Sequence, residues 1–171
     1  MKNVFKILLC VLVLGLLVVS VVGKDVPTPA GDVVLTVSGV IALTNDGDTF
    51  KLDMDMLKAL PCLAYEVDDP WMGTQIYGGV ELRTLLDYVG IPAGASKVVM
   101  VCSDEAEFAV TIKDALYYPI LLAYTSDGDE LPASQGGPIK LVYPYNSYPE
   151  IQDLYDENQW AWYVVEIRVE Y

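Results

Sequence analysis

Leu82, Leu85, Leu86 and Val89 recur at offsets of zero, three, four and seven, ahead of Gly90 and of an unbroken apolar run from Val98 to Val101. That spacing puts four branched side chains on one helix face, and Gly90 is well placed to end the helix, so a helix is predicted over 80–90. The run that follows, after Pro92 and Gly94, has strand length and no polar face, which predicts a buried strand. The stripe of leucines is core surface, and the chain must build a sheet for it to pack on.

Other stretches supply that sheet. Val33 to Ile41 reads as a first strand, Asn45-Asp46-Gly47-Asp48 as a turn, and 49–52 as the returning strand of a hairpin. Asp53 can cap a short helix in which Met56, Leu57 and Leu60 share a face and which Pro61 stops. Phe108, Val110 and Ile112 alternate with smaller or polar residues, a brief helical turn spans 114–118, and 120–124 and 139–143 read as strands around an Asp127-Gly128-Asp129 tip. The chain ends in strict alternation, with Val165, Ile167, Val169 and Tyr171 on one side and Glu166, Arg168 and Glu170 on the other. Strands outnumber helices, which predicts an α+β fold of mixed or antiparallel sheet with a few short helices.

Residues 1–23 stand apart from this domain. Lys2 and Lys6 precede an uncharged apolar run from Ile7 to Gly23, and the small residues at its end suit a cleavage site. The segment reads as a signal peptide cut after Gly23, or as an uncleaved N-terminal membrane anchor. Both readings place the remainder outside the cytoplasm, secreted or membrane-anchored. Residues 24–32, with Pro27, Pro29 and Gly31, form an extended and mobile spacer, and 33–171 form one domain.

Charge narrows the partners. The full chain carries 24 acidic and 10 basic residues, a net charge of −14, and loss of Lys2 and Lys6 would make it −16. Nucleic acid is excluded as a partner, and a membrane would be met only through an uncleaved leader. The acidity serves solubility, adaptation to salt, or attraction of cations. The chain contains no histidine, which removes the commonest metal ligand and general base and excludes zinc hydrolases and histidine-dependent nucleophiles. Cys62 and Cys102 would be the two cysteines left after cleavage, and spacing alone does not decide whether they bridge. Asp46 with Asp48, and Asp127 with Asp129 and Glu130, read as turn chemistry rather than calcium loops, since neither follows the full loop spacing.

The order of short motifs resembles the molybdopterin-binding domain of the sulfite oxidase family. Leu35-Thr36-Val37-Ser38-Gly39, Leu57-Lys58-Ala59-Leu60-Pro61, Trp71 and Gly79-Val80-Glu81-Leu82-Arg83-Thr84-Leu85-Leu86 follow that family's sequence of motifs. So do Val98-Val99, Leu122-Ala123-Tyr124 with Gly128 and Leu131-Pro132, Gly136-Gly137-Pro138 with Leu141-Val142 and Pro144, and Trp160 or Trp162 before Ile167. The resemblance covers 33–171 and implies that family's β-rich fold.

It also implies a cofactor cleft bordered by the Trp71 to Tyr77 loop and by the aromatic segment from Tyr143 to Tyr163. Metal-binding members place a thiolate ligand between the "L-P" and "G-V-x-L" motifs, where residues 63–78 here hold no cysteine and Glu66, Asp68 and Asp69 stand instead. A carboxylate is a harder ligand and does not reproduce a thiolate site. Where the family often carries lysine beside tryptophan before the last strand, this chain has Glu150, Asp153, Asp156 and Glu157. Arg83, Lys113, Lys140 and Arg168 remain for surface roles or phosphate contact.

The cleft candidates are therefore Glu66, Asp68, Asp69, Trp71, Tyr77, Tyr145, Tyr148 and Trp160, with no catalytic residue and no metal ligand assigned. The rings among them either fill the core or hold a cationic or sugar-like ligand. The expectation is an exported, non-catalytic or degenerate molybdopterin-binding-like module whose cleft takes a small ligand or protein partner, with no cofactor favoured. The alternative is a molybdopterin-dependent oxidoreductase or redox subunit acting on a small oxyanion or sulfoxide-like substrate.

Overall fold

Backbone pairing sorts the chain into two five-stranded sheets. The computed structural model describes residues 26–171, so the predicted leader lies outside the described residues. In chain order the elements are β1 (Val33–Gly39), β2 (Phe50–Asp53), α1 (Met54–Lys58), β3 (Cys62–Asp69), β4 (Gly73–Glu81), α2 (Leu82–Val89) and β5 (Lys97–Cys102). They continue with β6 (Glu107–Thr111), α3 (Ile112–Tyr117), β7 (Leu121–Ser126), β8 (Asp129–Glu130), β9 (Lys140–Val142) and β10 (Val164–Glu170). The first sheet runs β2-β1-β10-β5-β6, parallel only between β1 and β10. The second is antiparallel, β3-β4-β7-β8, with β9 also paired to β7. The fold is the β-rich α+β arrangement expected from the sequence.

The leucine stripe behaves as its spacing requires. Leu82, Leu85, Leu86 and Val89 are fully buried, and Gly90 closes α2 at φ +70° with its N–H on the Leu86 carbonyl. The helix starts later than predicted, because Val80 and Glu81 are spent in the β4 ladder opposite Leu122 and Leu121. Asp53 caps α1 by accepting from the Met56 N–H at 2.8 Å. Its other oxygen accepts from the N–H groups of Ala30 and Gly31 at 2.7 and 2.9 Å, so the spacer expected to be mobile is pinned to the domain there. Those backbone donors hold the Asp53 carboxyl below its usual range.

Two departures have local causes. The β3-β4 hairpin was not legible as strands, yet it is regular from Cys62↔Val80 to Asp69↔Gly73. On β10, Ile167 and Val169 are buried as the alternation predicts, but Val165 is 42% exposed and Val164 is buried in its place. A register shift against β5 between Val164 and Glu166 moves the inward position by one residue.

β4 and β7 approach closely at Gly79, where a Cβ would lie 2.1 Å from the Leu122 carbonyl oxygen and 2.7 Å from the Ala123 Cα. Those obstacles are backbone and cannot swing away. Gly79→Ala is expected to lower stability by about 1–3 kcal/mol, measured by urea denaturation.

Candidate functional site

The end of β3, the middle of β4 and the start of β9 bring three polar side chains together inside the molecule. Lys140 Nζ lies 2.5 Å from Asp69 Oδ2 and 3.2 Å from the Tyr77 hydroxyl, which itself donates to Asp69 Oδ2 at 2.6 Å. The other Asp69 oxygen accepts from the Trp71 and Met72 N–H groups at 2.8 and 3.0 Å, fixing the turn between β3 and β4. Neither the lysine nor the aspartate side chain has any exposed surface.

Aromatic rings enclose the ammonium. Lys140 Nζ sits 4.4 Å from the Trp162 ring centroid and 5.1 Å from those of Tyr77 and Trp160. Desolvated cation–π contacts of this kind contribute about 2 kcal/mol or more. Trp71, 47% exposed, lies edge-on over Trp160 and Trp162 at centroid separations of 6.1 and 5.7 Å. The two segments expected to border an open cleft therefore touch through their tryptophans, with a lysine beneath them.

Electrostatics match the geometry. Burial raises the Asp69 carboxyl, but hydrogen bonds from Lys140, Tyr77 and the Trp71 N–H outweigh it and hold the group below the usual carboxylate range. Burial lowers the Lys140 ammonium, and Asp69 opposes that shift. Burial, then the bond to ionised Asp69, pushes the Tyr77 phenol up, so it stays a neutral donor.

A separate hollow of about 500 Å³ opens beside this cluster, where Asp68 and Tyr145 meet Asp153, Asp156 and Glu157 of the two 3-10 turns before β10. Among the described residues, no basic side chain lines it. Asp68 accepts from the Thr74 hydroxyl at 2.7 Å, and Asp156 caps the second turn through the Asn158 N–H at 2.9 Å.

The predicted cleft residues thus divide. Asp69, Tyr77, Trp160 and Trp71 gather around Lys140, while Asp68 and Tyr145 line the acidic hollow. Glu66 stands exposed on β3 opposite Ile76. Tyr148 packs against Tyr118 at 5.4 Å, in another depression with Arg83 and Tyr117. Several rings of the aromatic segment are core: Tyr143 stacks on Tyr155 at 5.2 Å, and Tyr145 accepts from the Trp160 indole N–H at 2.8 Å while donating to the Tyr155 carbonyl at 2.6 Å.

Lys140 and Trp162 were missed as members of one cluster. Lys140 was expected at the surface or on a phosphate, and it is buried and neutralised instead. The available signal was a lysine inside the apolar run from Ile139 to Val142, since lysine is almost never fully buried without a partner.

The other cations lie outside the cluster. Arg83 donates to the Leu116 carbonyl at 3.1 Å, Arg168 pairs with Glu107 and Glu170, and Lys113 is exposed. Both described cysteines are free thiols: Cys62 is exposed at the start of β3, and Cys102 is buried at the end of β5. Burial, then Asp104, pushes the Cys102 thiol up to about 11, so it is protonated at neutral pH.

A family model described as an oxidoreductase molybdopterin binding domain matches residues 48–147. The chain belongs to that family. It is 30% identical over 138 residues to the Azospira oryzae protein named "Putative protein-methionine-sulfoxide reductase subunit YedZ1", a match covering 74% of this chain and 49% of that protein. The sulfane dehydrogenase SoxCD from Paracoccus pantotrophus shares its fold at a TM-score of 0.64 with 15% identity, over 80% of this chain and 37% of that one. The chain therefore spans about half the length of the curated relative it matches.

Two expectations follow for the buried pair. Asp69→Asn leaves Lys140 buried without its anion and is expected to cost about 3–5 kcal/mol, whereas Asp69→Asn with Lys140→Met should recover most of that loss in urea denaturation. Asp69 also has a pH signature. Its folded pKa lies below the unfolded value of about 3.9, so its contribution is complete above that value and is lost as pH falls through the folded one. The urea midpoint of the native protein is expected to drop as pH falls below about 4, and to drop less in the double variant.

Proposed function

We propose that this chain is a non-catalytic member of the molybdopterin-binding family, exported from the cytoplasm, that serves as an interaction subunit. The Lys140–Asp69 pair inside its cage of rings carries this reading. In relatives that use the cofactor, resemblance assigns a thiolate to the metal and cationic groups to the phosphate. Among the described residues, no thiol and no unpaired cation lines the hollow beside the ring cage, which supports this reading. Cys62 is exposed on β3 and Cys102 is a buried, protonated thiol. The cation enclosed between the two bordering segments is already matched by Asp69, and the adjoining hollow is lined with carboxylates. A dianionic phosphate brought there would meet like charge across a few ångströms, which is unfavourable by about 1–4 kcal/mol for each close pair of charges.

An interaction role agrees with the word "subunit" in the name of the Azospira relative. The apolar leader, residues 1–23, supports export. A protein partner or small ligand outside the cytoplasm then replaces the cofactor as the thing this fold recognises.

Molybdenum and pterin analysis of protein purified from its native host, beside heterologously produced protein, tests the proposal. Both preparations are expected to lack stoichiometric metal and pterin. About one molybdenum per native chain would overturn the non-catalytic reading and restore the oxidoreductase alternative.

A further inference from the structure

β3 is an edge strand with its outer side open. Among the described residues it pairs with β4 alone, over eight residues without a register shift, and it carries no proline or lysine. The N–H of Asp68 points away from β4 and donates to Asn146 Oδ1 at 3.0 Å. In a regular antiparallel ladder, residues two and four positions earlier present their N–H and C=O groups to the same side. Those residues are Glu66 and Ala64, both exposed, and among the described residues their backbone groups have no partner. Proteins usually blunt such an edge with charge, proline or a bulge, or else use it to add a strand.

The charge beside the edge selects the occupant. Glu66 and Asp68 project from the same face of β3, and beyond Asp68 lies the hollow lined by Asp153, Asp156 and Glu157. A second copy of this chain laid along β3 would bring carboxylates against carboxylates, in a protein whose net charge is already −14. A segment with lysine or arginine at alternate positions would place its cations opposite Glu66 and Asp68, and one more could enter the hollow.

We infer that β3 takes an extended, basic segment of a partner protein as an added strand, paired along Ala64 to Glu66 and held by charge at the acidic hollow. This inference rests on the interaction role proposed above and names the chemistry of the partner.

The test uses two labelled synthetic peptides, one alternating lysine with valine and one alternating glutamate with valine, titrated by fluorescence anisotropy. The lysine peptide is expected to bind, to weaken at least about tenfold when salt is raised to roughly 0.5 M, and to slow hydrogen exchange at the Ala64 and Glu66 amides. The glutamate peptide should not bind. Ala64→Pro removes one outward donor at a position where an edge strand tolerates proline, and it should weaken binding about tenfold while thermal melting shows a folded protein. Glu66→Lys and Asp153→Lys should each weaken binding and leave the fold intact.

No binding by the lysine peptide would overturn the inference. So would binding that is unchanged in Ala64→Pro and gives no protection at Ala64 and Glu66, since the hollow alone would then be the site. Sedimentation that finds a dimer broken by Ala64→Pro would assign the edge to a second copy instead. None of these outcomes bears on the metal analysis, and molybdenum in native protein would overturn the non-catalytic role without closing the edge.

Discussion

An ammonium with no exposed surface, bound to one carboxylate and faced by three aromatic rings, sets the terms for this end of the molecule. Removing a charge from water costs several kilocalories per mole even after relaxation, so Lys140 and Asp69 can stay ionised only while each satisfies the other. Asp69 is fully committed: it holds the lysine, the Tyr77 hydroxyl and two backbone N–H groups at once. The β3-β4 turn, the start of β9 and the tryptophans before β10 are thereby tied to one point. Loss of either Lys140 or Asp69 leaves the other as an unpaired buried charge.

That arrangement bears directly on the family's chemistry. A pocket for an anionic cofactor needs uncommitted cations and room between its walls. Here the walls meet through Trp71, Trp160 and Trp162, and the enclosed cation has an internal anion. On the non-catalytic reading proposed above, the ring cage and ion pair would fill and neutralise the space from within. A fold alone does not carry its family's chemistry, which rests on the few side chains of the site. The apolar core runs from Leu35 through the α2 leucines to Ile167 and takes in Tyr77 and Trp160 of the ring cage, so the ion pair is set into its margin.

How far the sequence could be read depended on the kind of signal each element carries. The α2 stripe and the β10 alternation are periodic, and periodicity survives translation into structure except where a bulge shifts it, as at Val164. β3 and β4 are not periodic in hydrophobicity, because β3 puts the charged Asp69 at a buried position and the apolar Cys62, Leu63 and Ala64 at exposed ones, while β4 is broken by Gly73, Gly78 and Gly79. Their strand character comes from ladder pairing with each other and with β7, which a single-sequence pattern does not display. The cleft residues were gathered from motif order, which located Asp69, Trp71, Tyr77 and Trp160 in one region. Motif order did not show that Lys140, some 60 residues from Tyr77, enters the same space from β9, because that contact is tertiary.

The same accounting of charge explains how an open edge can be tolerated. Among the described residues, Lys51, Lys58, Lys97, Lys140 and Arg168 are each paired with a carboxylate of the same chain. The exposed pairs add little stability, yet they leave few free cations on a surface with an excess of acids. A long strand edge in a neutral protein invites pairing with its own copies, and Leu63 and Ile76, both partly exposed near this one, would favour it. Glu66 and Asp68 oppose such pairing while leaving the backbone groups of Ala64 and Glu66 free. On the inference drawn above, an acidic edge would discriminate by sign: like charge opposes pairing with identical copies and favours a basic strand, so one charge distribution would bear on both.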